Sequence, residues 1–227
     1  DPHFVTGFRP GGDDDAPLRV GFGSWDLAHA ADNGLPGRSR LRSYTAVSED
    51  GAQWGDIHGV YDPCWWLWRM RRHDGAFFSM GYYLTWPASA AGEARWLRSE
   101  DGVAWKNLGT TAKERIPDEA DWVVRPDGSI LCVIRACDGK PNAMLIRSNP
   151  ERTQWEVKDL NTLVHSPAIA PWKDRLFVAG RGSGENGSVT RVWELEGDSL
   201  RELITLPSAG DTGYPGLLVD PATENAD

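Results

Sequence analysis

Long apolar runs are missing from this sequence. Nothing approaches the 18 or so consecutive apolar residues that a membrane-spanning helix needs. No long stretch repeats its apolar residues with a helical period either, which argues against a helical bundle. Cysteine is scarce, with Cys64, Cys132 and Cys137 alone. An odd count with no C-x-x-C spacing fits neither a disulfide framework nor a zinc site, so the expectation is buried free thiols. Basic residues are outnumbered: 24 Lys and Arg stand against 33 Asp and Glu, a formal charge of −9. That balance excludes the broad basic face of a nucleic-acid binder, while a local arginine cluster can still hold an anionic sugar. No P-loop, nucleophile elbow, H-E-x-x-H or strand-to-helix G-x-G-x-x-G occurs, so no cofactor is expected. The acidic run Asp13-Asp14-Asp15 reads as a solvated loop, because no spaced ligand set follows it, and no metal is expected. No secretory-leader pattern is read in this stretch, which does not open with Met, and the compartment is left open.

What the sequence has in quantity is Trp (12), Gly (25) and Pro (15), a mixture suited to short strands and tight turns. It also repeats itself. Ser48-Glu49-Asp50-Gly51-Ala52-Gln53-Trp54 and Ser99-Glu100-Asp101-Gly102-Val103-Ala104-Trp105 share the pattern S-x-D-G-x-x-W. A third, altered copy runs from Ser148 to Trp155, without the Asp-Gly. The period is about 50 residues, the scale of a repeated multi-strand unit. Asp-Gly between apolar runs is a turn signal. The Ser and Asp side chains can bond backbone N–H groups inside the turn, and the Trp can plug the space between sheets. Each box is therefore expected to be a folding device.

Strands are expected over His3 to Phe8, Leu18 to Ser24, Arg42 to Val47, Trp65 to Met70, Ala76 to Leu84 and Ala94 to Arg98. They are expected again over Asp121 to Arg125, Ser129 to Arg135, Met144 to Arg147, Ala168 to Pro171, Leu176 to Gly180, Val189 to Leu195 and Leu200 to Leu206. The turns His73-Asp74-Gly75 and Pro126-Asp127-Gly128 separate pairs of them.

The boxes resemble the Asp-boxes of bacterial-type sialidase (neuraminidase-like, BNR-repeat) β-propellers. The resemblance implies an all-β fold, a β-propeller of the sialidase type with four strands per blade. It implies one propeller domain over 1–227, with blades at about 1–54, 55–109, 116–160 and 165–206 and a further blade opening over 210–227. A six-bladed parent is expected, with this chain a piece cut at both ends.

Glu119 precedes a strand, and Arg135 ends its partner beyond the turn Arg125-Pro126-Asp127-Gly128. This is similar to the sialidase pattern. There the Glu polarises a catalytic Tyr, and the Arg belongs to a triad that clamps the substrate carboxylate. A planar guanidinium matches a carboxylate bidentately, and a carboxylate beside a phenol raises its nucleophilicity. Arg181 is the expected second triad member, with Arg191 as its alternative. The chain departs from the pattern at Gly187-Ser188-Val189, where sialidase-like chains often carry an Arg. The phrase Gly210-Asp211-Thr212-Gly213-Tyr214-Pro215-Gly216 is familiar from sialidase-like proteins, which makes Asp211 a candidate ligand for sugar hydroxyls and Tyr214 a pocket wall. Asp62-Pro63-Cys64-Trp65-Trp66-Leu67-Trp68-Arg69 resembles a blade-opening phrase of the same proteins. Arg69 is its candidate substrate contact, and at least two of its three Trp residues are expected in the core. The acid/base Asp and the nucleophilic Tyr are expected outside this chain.

The implied function is a sialidase-like exo-glycoside hydrolase that removes a terminal, acidic sugar from a glycan. Two alternatives remain open: a carbohydrate-binding or scaffold propeller without catalysis, and a polysaccharide lyase acting on uronates. In the lyase a His such as His3 or His165 would serve as base.

Overall fold

The computed structural model describes residues 2–8, 17–25, 41–83, 92–140, 142–208 and 212–219. Among the described residues every regular element is a strand. Among them no helix is long and apolar enough to cross a membrane.

The described residues form sixteen strands in four four-stranded sheets, each a meander in chain order. The first contains β1 (Pro2–Phe8), β2 (Leu18–Trp25), β3 (Leu41–Ser48) and β4 (His58–Val60). The second contains β5 (Trp65–His73), β6 (Ala76–Tyr83), β7 (Ala94–Ser99) and β8 (Trp105–Ala112). The third contains β9 (Pro117–Val124), β10 (Ile130–Ala136), β11 (Asn142–Ser148) and β12 (Trp155–Leu163). The fourth contains β13 (His165–Trp172), β14 (Arg175–Gly184), β15 (Gly187–Glu196) and β16 (Ser199–Leu206). Contacts divide the chain into two compact units, 1–118 and 119–227, with the division inside β9.

Turn chemistry sets the registers. Asp74 and Gly75 both adopt positive φ (47° and 77°), the two-residue hairpin geometry whose twist matches the strands, and His73 then pairs with Ala76. At Pro126-Asp127-Gly128 the Gly128 N–H bonds the Arg125 carbonyl (2.9 Å) and the Arg125 N–H bonds the Ser129 carbonyl (2.8 Å), closing the β9–β10 hairpin.

The repeated box occupies the turn between the third and fourth strands. In the second sheet the Ser99 hydroxyl donates to Asp101 (3.0 Å) and accepts from the Gly102 N–H (2.8 Å), while Asp101 Oδ1 accepts from Val103 and Ala104 (both 2.8 Å). The first sheet repeats these bonds around Ser48 and Asp50. In the altered copy Asn149 takes over, its amide oxygen accepting from Thr153 (2.8 Å) and Gln154 (2.9 Å). The expected Trp plug holds for Trp105, 9% exposed and bonded to the Gly102 carbonyl, but Trp54 is 47% exposed.

Three fourth strands, β4, β8 and β12, carry no clear apolar alternation, and the expected strand set omits them. They form the exposed edges of their sheets: β8 shows solvent at Lys106, Asn107 and Leu108, and β12 at Glu156 and Asp159. In the second and third sheets the opposite edges, β5 and β9, are buried. Nearly every residue of β9 is inside, and so are Trp65, Trp66, Leu67 and Trp68 of β5, so all three tryptophans of that phrase belong to the core.

A buried edge leaves backbone groups that need partners. In the first unit the Ser43 hydroxyl of β3 accepts from the Leu67 N–H (2.9 Å) and donates to the Trp65 carbonyl (3.2 Å), tying the first sheet to β5. Val60, Trp65, Leu67, Met70, Phe77, Leu97 and Trp105 cluster there. The second unit has its own core, in which Val133, Leu145 and Leu160 meet Ile169, Val178 and Trp193.

Gly23 lies under the Trp66 ring, and an added Cβ would sit 2.4 Å from it. Gly23→Ala is expected to destabilise the fold by about 1–3 kcal/mol through overpacking, read as a lower urea midpoint. Backbone N–H groups of Val103 and Ala104 hold the Asp101 carboxyl below its ordinary range. A depressed folded-state pKa gives stability that is full above the unfolded value of about 3.9 and fades as pH falls through the lower folded value. Urea midpoints between about pH 5 and pH 2 should therefore fall less steeply for Asp101→Asn than for the parent.

Candidate functional site

In an antiparallel meander the start of the first strand and the end of the second lie together, at the end away from the turn between third and fourth strands. Glu119 lies inside β9 as its third residue rather than ahead of the strand, because the strand extends back to Pro117, and Arg135 is the penultimate residue of β10, so both stand near the end of the third sheet opposite Asn149. The hairpin closed between Arg125 and Ser129 puts them directly across from one another, because each lies the same number of residues from the turn. Arg135 Nη1 donates to Glu119 Oε2 at 3.2 Å.

Glu119 is 5% exposed. Its Oε2 also accepts the Ser166 N–H and the Ser166 hydroxyl, each at 2.9 Å. Ser166 can present both because it sits in a bulge of the β13–β14 pairing with φ of 50°, a left-handed conformation uncommon outside glycine. Three donors on one oxygen fix the orientation of the carboxylate. One turn of the pleat further on, Asp121 is fully buried, with Oδ2 accepting the Ile169 N–H (2.7 Å) and Oδ1 its neighbour's, Trp122 (2.9 Å). Burial, with Asp121 adding to it, pushes the Cys132 thiol well up, so this cysteine is unreactive. Cys64 is likewise buried and free, and Cys137 is half-buried.

Arg181 belongs to β14 of the fourth sheet. It lies opposite His165 in the β13–β14 register, donates from Nε to the Thr212 carbonyl, and lies along the backbone of Gly213. Thr190 and Thr212 share a hydroxyl bond at 2.5 Å beside it. The alternative, Arg191, is ion-paired with Glu202 at 3.0 Å. Tyr214 follows with φ of 58° and is exposed. Arg69 lies in the first unit, half-buried, in a bulge of the β5–β6 pairing with φ of 49°. Asp211 lies outside the described residues.

Ser166 and Asp121 are the residues that sequence reading misses. The signal was the density of acids in Pro117-Asp118-Glu119-Ala120-Asp121, three carboxyls on a strand that is otherwise apolar. A buried edge strand carries such groups only where each has a partner.

Comparison with family models finds no match, and comparison with curated proteins finds none. Solved structures do resemble the chain. A protein of unknown function from Dyadobacter fermentans superposes with a TM-score of 0.69 at 17% identity, covering 89% of this chain and 65% of that one. The Trypanosoma rangeli sialidase, in complex with sialic acid, gives 0.54 at 13% identity over 87% of this chain and 36% of its own. The family GH32 β-fructofuranosidase of Bombyx mori gives 0.56 at 12% identity over 87% and 47%. The chain thus spans between about a third and two thirds of the length of these relatives in fold. What is shared is the architecture, and the fold is the all-β propeller type of these glycosidases.

Ser166→Ala removes one bond to a buried charged group and keeps the backbone N–H. A loss of about 1.5–3 kcal/mol is expected in chemical denaturation.

Proposed function

We propose that this propeller is a glycoside hydrolase that removes a terminal, acidic sugar from glycans. Glu119 serves as the carboxylate that activates an attacking phenol, and Arg135 receives the substrate carboxylate. The observation that carries the reading is the pair of buried Glu119 and half-buried Arg135, 3.2 Å apart, near the end of a sheet in a fold shared with a sialidase. An ion pair of this kind keeps a guanidinium plane in place for a second carboxylate. Arg181, held at the Thr212 carbonyl, with Asp211 and Tyr214 beside that residue in the chain, are further substrate contacts in this reading, and Arg69 is a candidate contact of the first unit by itself. The attacking phenol and the proton donor come from residues other than these.

One observation favours a second reading, a saccharide-binding propeller without catalysis. Arg135, Arg181 and Arg191 each already bond an internal acceptor: Glu119, the Thr212 carbonyl and Glu202.

The test is hydrolysis of a fluorogenic sialoside by the full-length protein, beside uronide and neutral glycosides. Sialoside turnover is expected, with kcat/KM reduced at least about 100-fold in both Arg135→Ala and Glu119→Gln. Near-normal turnover in either variant overturns the assignment of that residue. Release from a different glycoside keeps a hydrolase and discards the acidic sugar. Silence across the panel leaves the binding reading.

A further inference from the structure

The second sheet has a cleft of its own, within the first unit. β5 starts at Trp65, β6 ends at Tyr83, β7 starts at Ala94 and β8 ends at Ala112, so the residues at these points converge on one end of the sheet, away from the Asp101 turn. There Trp65, Tyr83, Gly92, Glu93, Arg95 and Lys113 line a cleft of about 420 Å³, within the size range of small-ligand sites.

Arg95 is its organising group. The guanidinium lies over the Trp65 ring, 4.2 Å from the centroid. Nε and Nη2 bond the Glu93 carboxylate (2.9 and 3.3 Å), and Nη1 donates to the Tyr61 hydroxyl (3.0 Å). Glu93 is held in turn by the Thr110 hydroxyl at 2.5 Å. These bonds use three of the five guanidinium N–H donors and leave one on each terminal nitrogen. The side chain is 25% exposed. Its plane is fixed before any ligand arrives, which lowers the ordering cost of binding.

Charge and shape narrow the ligand. Among the lining residues Glu93 cancels one positive charge and the exposed Lys113 leaves a net of one, while Glu114, whose carboxylate accepts the Lys113 N–H, is balanced by Arg115 next to it in the chain. Aromatic rings on the wall suit the apolar face of a sugar ring. The wall behind them is built at some conformational cost. Arg115 and Ile116 are consecutive residues with positive φ (59° and 47°), the second β-branched, and Ile116 presses on Gly92 so closely that a Cβ there would lie 2.6 Å from its Cα. Strained backbone of this kind concentrates at ligand sites.

We infer that this cleft binds a carboxylated sugar, with Arg95 and Lys113 receiving the carboxylate and Tyr83 flanking the ring. The sugar class rests on the glycan reading above, whereas the anion preference rests on the cleft alone.

The test is calorimetric titration of the full-length protein at low salt with trigalacturonate and with 3′-sialyllactose, beside neutral cellotriose. Binding of an acidic probe is expected, weakened at least tenfold in Lys113→Glu, an exposed substitution that leaves folding intact. Arg95→Lys, which keeps the charge and loses the planar fork, should weaken it as well. Binding should persist in Arg135→Ala, and cellotriose should not compete. Unchanged affinity in Lys113→Glu, equal binding of cellotriose, or no binding of either acidic probe overturns the inference. Loss in Arg135→Ala alone also overturns it and moves the sugar to the Glu119 site. Cleft binding without sialoside hydrolysis upholds the inference while the hydrolase reading fails.

Discussion

A sheet packed by its first strand against another sheet has an edge that water cannot reach, and the polar groups of that edge must be answered by the neighbour. This constraint organises both units. Ser43 answers the backbone of β5 through its hydroxyl, and Glu119 and Asp121 answer β13 through their carboxylates. A side chain that reaches the next sheet's main chain fixes both spacing and register, because moving either sheet would strand a buried charge or N–H. The apolar clusters supply the bulk of the driving force. The cross-sheet bonds make one arrangement of those clusters unique.

The candidate site grows from the same constraint. Glu119 would be an expensive residue to bury if it served packing alone, and a hydrophobic edge would be simpler. Its three donors come from two different sheets, so its position reports the docking of one sheet on another. In the proposed reaction, the group that ties the sheets together also faces the substrate. Preorganisation for chemistry and stability of the fold then draw on one set of bonds, a coupling that makes such positions poor targets for independent optimisation.

Local features were legible in the sequence, and cross-sheet ones were not. The Glu119–Arg135 pairing could be read because a single hairpin with a defined turn separates the two residues, and turn chemistry sets register. Thirteen apolar strands could be read from their composition. β4, β8 and β12 could not, since an exposed edge strand has no reason to alternate. Ser166 was invisible as a partner because its role depends on a bulge and a left-handed φ in a different sheet, neither of which leaves a mark in composition. The spending of Arg181 on the Thr212 carbonyl was equally hidden. The altered box showed the loss of Asp-Gly but not the substitution of function by Asn149, one position earlier in the motif.

That substitution bears on the chemical ageing of the chain. An asparagine in a tight turn is usually vulnerable, because the N–H nitrogen of the next residue can attack the side-chain amide and close a succinimide, releasing ammonia. Asn149 is followed by Pro150, which has no backbone N–H to do so. The two remaining turns present Asp-Gly, the sequence most open to the corresponding isomerisation, yet there the attacking Gly N–H is bonded to the Ser hydroxyl and Oδ1 of each Asp is fixed by backbone donors two and three residues on. The repeat has thus traded one acceptor for another while keeping every copy protected from slow self-modification, by covalent means in one turn and by hydrogen bonding in the others.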